Sequence, residues 1–169
     1  IHRYTRRGRK AGIAAGLVFG AMTLAAGIAG LTYGWKHIVV RETEIRSERL
    51  PESFRGYRIA QISDLHIGTY SYAPEKVREI VDSINARRPD LIVFTGDIIN
   101  IYPEELVQFT EELDRLEAPD GVYAIMGNHD YCGYADYTPE EQDNAISRLQ
   151  NLEKEAGLEL LLNRNVIIR

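Results

Sequence analysis

Tyr57-Arg58-Ile59-Ala60-Gln61-Ile62-Ser63-Asp64-Leu65-His66 is a half-apolar extended run that ends in a small polar residue and then presents a carboxylate and an imidazole. The same figure returns twice. Leu91-Ile92-Val93-Phe94-Thr95 leads to Gly96-Asp97, and Gly121-Val122-Tyr123-Ala124-Ile125-Met126 leads to Gly127-Asn128-His129-Asp130. Each apolar run reads as a strand by length and by its β-branched and aromatic content. The compact Leu91–Phe94 run suits a strand buried on both faces.

Helical patterns separate the strands. Pro74 opens one, because its missing N–H costs nothing in a first turn, and Val77, Ile80, Val81 and Ile84 mark its inner face. Pro103 opens a second, with Leu106, Phe109, Leu113 and Leu116 inward. Thr138-Pro139-Glu140-Glu141 is a capping box in which Thr138 caps and Glu141 reaches back. Ile146, Leu149 and Leu152 line that third helix, and Gly157 ends it. Leu158–Leu162 and Val166–Ile168 read as two further strands, and Ile38–Glu48 as an extended segment or edge strand.

This alternation predicts an α/β fold with a parallel or mixed sheet covered by helices. Right-handed crossovers put the carboxyl ends of consecutive parallel strands on one edge, where α/β sheets host their sites. Three of those strand ends carry potential metal ligands. Carboxylate and amide oxygens suit hard divalent cations, and borderline ions also accept imidazole. Asp64 and His66 would serve one ion, Asn128 a second, and Asp97, alone after its glycine, would bridge the two. Singly, Asp-x-His, Gly-Asp and Asn-His-Asp are ordinary turns; at three successive strand ends they form a specific signal.

The front of the chain has a different character. Residues 1–36 carry six Lys/Arg and no acid, leaving 14 Lys/Arg against all 25 Asp/Glu downstream. An acidic downstream part argues against a nucleic-acid partner, which requires a basic face. No charge interrupts Ala11–Trp35, a stretch that as a helix would be about 37 Å long, enough to cross a bilayer core of about 30 Å. Residues 1–10 therefore read as a basic cytoplasmic flank, 11–35 as a transmembrane helix or uncleaved signal anchor, and 36–56 as a linker with an edge strand. Arg3, Arg6, Arg7, Arg9 and Lys10 place the front end in the cytoplasm and the downstream part outside, by the positive-inside rule. Thr5-Arg6-Arg7 also loosely resembles a twin-arginine export signal. Gly12, Gly16 and Gly20, spaced by four, form a small-residue stripe suited to helix–helix association. The lone Cys132 has no disulfide partner within the chain and reads as structural.

Asp64-x-His66, Gly96-Asp97 and Gly127-Asn128-His129-Asp130, in this order and spacing, resemble the first three motifs of the calcineurin-like metallophosphoesterases. Gln61–Gly68 after a membrane segment is similar to the membrane-associated bacterial branch. The resemblance covers about residues 38–169 and implies an α/β/β/α sandwich with a centre of two divalent ions (Mn, Fe, Zn or similar). It implies that Asp64, His66, Asp97 and Asn128 are metal ligands and that activated water attacks phosphorus. His129 would act on the phosphate or leaving group, and Asp130 would orient His129. The implied function is hydrolysis of phosphoester or pyrophosphate bonds, on a lipid- or nucleotide-linked substrate such as UDP-2,3-diacylglucosamine. A different reading is a membrane-anchored metal-binding scaffold or sensor without turnover.

The family also uses an isolated histidine and a Gly-His-x-His motif farther along. The four histidines here are His2, His37, His66 and His129. Residues 57–169 are thus expected to be the N-terminal half of the domain, inactive alone, with one apolar sheet face left without its partner.

Overall fold

The computed structural model describes residues 6–33 and 38–168. His2, Arg3, Trp35, Lys36 and His37 lie outside the described residues. The chain divides into two compact units, 1–44 and 45–169.

The first unit contains one helix, α1 (Arg6–Tyr33). Its Gly8–Thr32 stretch is long and apolar enough to cross a membrane. The Thr23 and Thr32 hydroxyls donate to the carbonyls of Phe19 and Ile28 at 3.0 and 2.7 Å. These polar groups are therefore satisfied within the helix, as a lipid environment requires. A Cβ on Gly12, Gly16 or Gly20 would meet open space, so this stripe leaves the backbone open to close approach. From Ile38 to Arg46 the chain is exposed and forms no strand, contrary to the edge strand expected over Ile38–Glu48. Partial alternation selects a face but does not make a strand without a ladder to join, and β1 is the edge of the sheet that forms.

The second unit is built on β1 (Ile59–Ile62), β2 (Leu91–Phe94), β3 (Val122–Ala124) and β4 (Glu159–Leu160). All pairings are parallel and the strand order follows the chain. Register aligns Ile62 with Phe94, and Phe94 with Ala124, so the three ligand-bearing loops leave the sheet at one level. Four parallel strands in chain order, joined by right-handed crossovers, place every connection on the same face. That face buries Ile92, Phe94 and Ala124. The helices over it are α2 (Glu75–Asn85), α3 (Glu104–Val107), α4 (Thr110–Leu113) and α5 (Pro139–Glu155), and α4 touches both α2 and α5. The opposite face presents Ile59, Leu91, Val93, Tyr123 and Ile125, with Ile59 59% and Ile125 45% exposed.

Val77 and Val81 of α2 are fully buried, and Ile80 and Ile84 pack beside them. The helix expected from Pro103 is instead two short ones. Leu106, Phe109, Leu113 and Leu116 all still face the core. The break falls at Phe109 (φ −115°), where the Thr110 hydroxyl donates to the Val107 carbonyl at 3.2 Å. β-branched residues and a hydroxyl that bonds the preceding turn both weaken a continuous helix there.

Both signals for α5 are realised. The Thr138 backbone N–H donates to the Glu141 carboxylate at 2.8 Å, and the Glu141 N–H donates to the Thr138 hydroxyl at 3.3 Å. At the other end Gly157 takes φ +75°. The N–H groups of Gly157 and Leu158 donate to the carbonyls of Lys154 and Glu153, a Schellman closure. Only Glu159 and Leu160 of the expected Leu158–Leu162 strand pair with the sheet, and Val166–Ile168 forms no strand.

Candidate metal centre

Three loops leave the carboxyl edge of the sheet and are stitched together by their backbones. The N–H groups of Asp64, His66 and Ile67 donate to the carbonyls of Gly96, Asp97 and Ile98 at 3.1, 3.0 and 2.8 Å. The β1–β2 pairing therefore continues past the strands into the ligand loops. Asp64 (φ 52°), His66 (φ 44°) and Asp97 (φ 57°) all sit in the left-handed region. Each such residue costs about 1–3 kcal/mol and persists only where its surroundings over-determine it. Gly96 (φ +100°) packs so closely on Gly127 that a Cβ would strike the Gly127 backbone. This contact brings the second and third loops together.

His66, Asp97 and His129 converge. One ligand atom from each lies within 4.8 Å of the others. The His66 and His129 rings meet edge to face, with centroids 4.6 Å apart. His66 Nδ1 lies 3.1 Å from the Ile99 carbonyl oxygen, and His129 Nδ1 lies 2.6 Å from that of Asn100. A carbonyl only accepts, so Nδ1 carries the proton in both rings and Nε2 is left with the lone pair in the neutral form. Backbone carbonyls behind imidazoles are a common way to orient metal-ligating histidines. Two imidazoles and a carboxylate suit borderline divalent ions such as Mn, Fe and Zn.

The other expected ligands stand differently. Asp64 is exposed and accepts from the Ser63 hydroxyl; it is not part of the converging group. Asn128 is exposed, and its amide donates to the Tyr134 hydroxyl at 2.8 Å.

Asp130 is fully buried and does not orient the His129 ring as expected. One carboxylate oxygen accepts from the N–H groups of Asp97 and Gly127 at 2.7 and 2.8 Å. The other accepts from Ile98 and Ile99 at 2.9 and 3.3 Å. The ring of His129 is oriented instead by Asn100, by stacking on Tyr134 (centroids 4.3 Å, 25°) and by His66. Burial pushes the Asp130 carboxyl up, and the four amide donors oppose that shift. Cys132 is buried, and burial pushes its thiol up to about 11. A thiol so held is a core side chain, not a nucleophile.

Three further residues shape the site. Glu105 accepts from the N–H groups of Asn100, Ile101 and Tyr102 at 2.6, 3.0 and 3.1 Å, fixing the loop whose Asn100 carbonyl holds His129. Acids at a helix start signal such a role in the sequence. Asn100 and Tyr134 carry no comparable signal.

The family model for calcineurin-like phosphoesterases matches residues 57–164, the segment that carries all three loops. The chain belongs to the calcineurin-like phosphoesterases. A four-stranded parallel sheet with flanking helices fits the α/β fold of that family. The second sheet of the implied sandwich is not among the described residues. An uncharacterized metallophosphoesterase of Bacillus subtilis, YkuE, is 36% identical over 79% of this chain and 48% of its own length. The UDP-2,3-diacylglucosamine pyrophosphatase LpxG of Chlamydia trachomatis is 35% identical over 72% of this chain and 39% of its own. A transmembrane protein with a metallophosphoesterase domain from Danio rerio is 33% identical over 65% of this chain and 25% of its own. The chain thus spans about half or less of the length of these relatives. In sequence, the phosphoesterase domain follows a helix long and apolar enough to cross a membrane.

Proposed function

We propose that the protein is a metal-dependent hydrolase of phosphoester or pyrophosphate bonds, and that it acts at a membrane on a lipid-linked substrate. The observation that carries the first part is the convergence of His66, Asp97 and His129 within 4.8 Å at the ends of parallel strands in a phosphoesterase domain. The second part is supported by α1 and by the resemblance to the UDP-2,3-diacylglucosamine pyrophosphatase.

In this reading His66 and Asp64 would hold one divalent ion and Asn128 a second, with Asp97 as a ligand shared by both. Bound ions supply positive charge that activates water and stabilises the charge developing on the phosphoryl group. The chain's own residues do the rest. Asp97 is fixed by the His129 N–H on one of its oxygens, at 2.8 Å. His129 is assigned to the phosphate or leaving oxygen; with Nδ1–H held by Asn100, it would have to be protonated on Nε2 as well to supply a hydrogen bond or proton there as the phosphorus–oxygen bond breaks. Asp64 and Asn128 are exposed at the carboxyl edge of the sheet.

The test is hydrolysis of bis(4-nitrophenyl) phosphate and of a lipid-linked nucleoside diphosphate by the full-length protein, with and without Mn²⁺. Metal-dependent turnover lost in Asp97→Ala is the expected result. Turnover indifferent to chelation would overturn the metal dependence, and metal binding with no turnover on either substrate would replace the hydrolase reading with that of a metal-binding scaffold.

A further inference from the structure

Tyr134 bears directly on the candidate metal centre, and it is not a core residue. It is 59% exposed, so burial of its ring does not explain its placement. Its contacts are with two consecutive residues of the third loop. Its hydroxyl accepts from the Asn128 side-chain amide at 2.8 Å, and its ring stacks on His129 at 4.3 Å and 25°.

The loop that delivers Tyr134 is anchored just before that residue. The Cys132 side chain is fully buried in the core, and its N–H donates to the His129 carbonyl at 2.9 Å, with Cys132 itself left-handed (φ 54°). That tight turn folds the chain back over the residues it has just left. From α5, the Gln142 amide donates to the Tyr131 carbonyl at 2.8 Å. A built turn thus returns an aromatic ring onto the histidine five positions earlier.

We propose that Tyr134 is a positioning residue for the metal centre, setting the Asn128 amide and the His129 ring at once. The proposal rests on the assignment of Asn128 to a metal and His129 to the phosphate. A primary amide has one accepting end and one donating end. When the NH₂ group of Asn128 is committed to the Tyr134 hydroxyl, the Oδ1 end is directed elsewhere and is available to a cation. Partners of this kind behind a metal ligand fix its orientation, and their loss typically costs 10- to 100-fold in affinity or activity. The stacked ring acts separately. With Asn100 on Nδ1 and the His66 ring nearly perpendicular beside it, the Tyr134 face completes the set that holds the His129 plane and leaves Nε2 for the substrate. The hydroxyl therefore serves metal binding, and the ring serves the chemical step.

The experiment separates the two functions in the full-length protein. Tyr134→Phe keeps the stack and loses the hydroxyl. Tyr134→Leu loses both. Calorimetric titration with Mn²⁺ is expected to show about a 10-fold weaker site in both variants, matching the direction of Asn128→Ala. At saturating Mn²⁺, kcat should stay within about threefold of wild type for Phe and fall at least tenfold for Leu, with KM little changed in either. In NMR spectra the His129 ring protons should keep their ring-current shift in Tyr134→Phe and lose it in Tyr134→Leu. Unchanged Mn²⁺ titration in Tyr134→Phe together with unchanged His129 signals in Tyr134→Leu would overturn the proposal. If the wild-type protein binds Mn²⁺ but hydrolyses nothing, the function proposed above fails while the titration and the ring-proton shifts still decide the role of Tyr134. Should Tyr134→Leu not fold, Tyr134→Phe and Tyr134→Trp carry the comparison.

Discussion

The backbone N–H of His129 donates to the Asp97 carboxylate at 2.8 Å, while the backbone N–H of Asp97 donates to the carboxylate of Asp130 at 2.7 Å. The second and third loops are therefore locked to one another in both directions. Asp97 is a ligand candidate whose own position depends on the loop it faces, and the centre is assembled by mutual constraint between strand ends rather than by any one turn.

Asp130 is the keystone of that arrangement, and its replacement gives the first prediction. In Asp130→Asn the side chain keeps one accepting oxygen and turns an NH₂ group toward N–H donors it previously satisfied. Leaving buried donors without acceptors is expected to cost about 2–4 kcal/mol. Urea unfolding followed by circular dichroism measures the loss. Hydrogen exchange should accelerate first at Asp97, Ile98, Ile99 and Gly127, whose amides bind the carboxylate. Uniform acceleration across the domain, with these four unchanged relative to the rest, would count against a local role.

A second prediction separates metal holding from chemistry. Asp97→Ala should lose bound Mn²⁺ together with activity. His129→Ala should lower turnover by about 10²–10⁴ and keep its metal. Elemental analysis of both purified variants decides the matter. Equal metal loss would make His129 a ligand alongside His66 and Asp97, a role its place in the converging group also permits.

The strand ends were legible because apolar runs and the polar residues after them are neighbours in sequence. The capping box of α5 and the Gly157 stop were legible for the same reason: every group involved lies within a few positions of its partner. What could not be read is what joins distant positions. Asp130 looks like a partner for the adjacent His129, yet its acceptors serve amides some 30 residues earlier. Asp64, His66 and Asp97 are of residue types that visit the left-handed region more often than most, but neither Asp nor His demands it as Gly96 at φ +100° does. The edge strand expected over Ile38–Glu48 failed because alternation specifies a face but not a pairing.

Topology is open to a direct test. The cluster Arg3, Arg6, Arg7, Arg9 and Lys10 precedes the apolar stretch, and the expectation from the positive-inside rule is a phosphoesterase domain outside the cytoplasm. A phosphatase reporter fused after Glu52 should be active and a fluorescent reporter of the cytoplasmic type dark. The reverse pattern would place the domain on the cytoplasmic side.

Glu153 gives a prediction about pH. It lies on α5, 1% exposed, with one carboxylate oxygen lacking any hydrogen-bond partner. Burial first, and the charge of Asp130 second, push its carboxyl up to about 8. In the unfolded chain the group returns to a value near 4.3. Between those values the unfolded state has released a proton that the folded state retains, so the folded state binds more protons. By linkage, stability then falls as pH rises through this window and levels off above about 8, once both states are ionised. Glu153→Gln removes the titration while keeping the shape. Between pH 5 and pH 7.5 the unfolding free energy of the wild type should drop by roughly 3 kcal/mol relative to the variant. Urea melts of both proteins at pH 5, 6, 7 and 7.5 measure this difference directly. Parallel stability curves would mean that Glu153 reaches water or a partner when folded, and that the carboxyl behind Asp130 is not held in its neutral form.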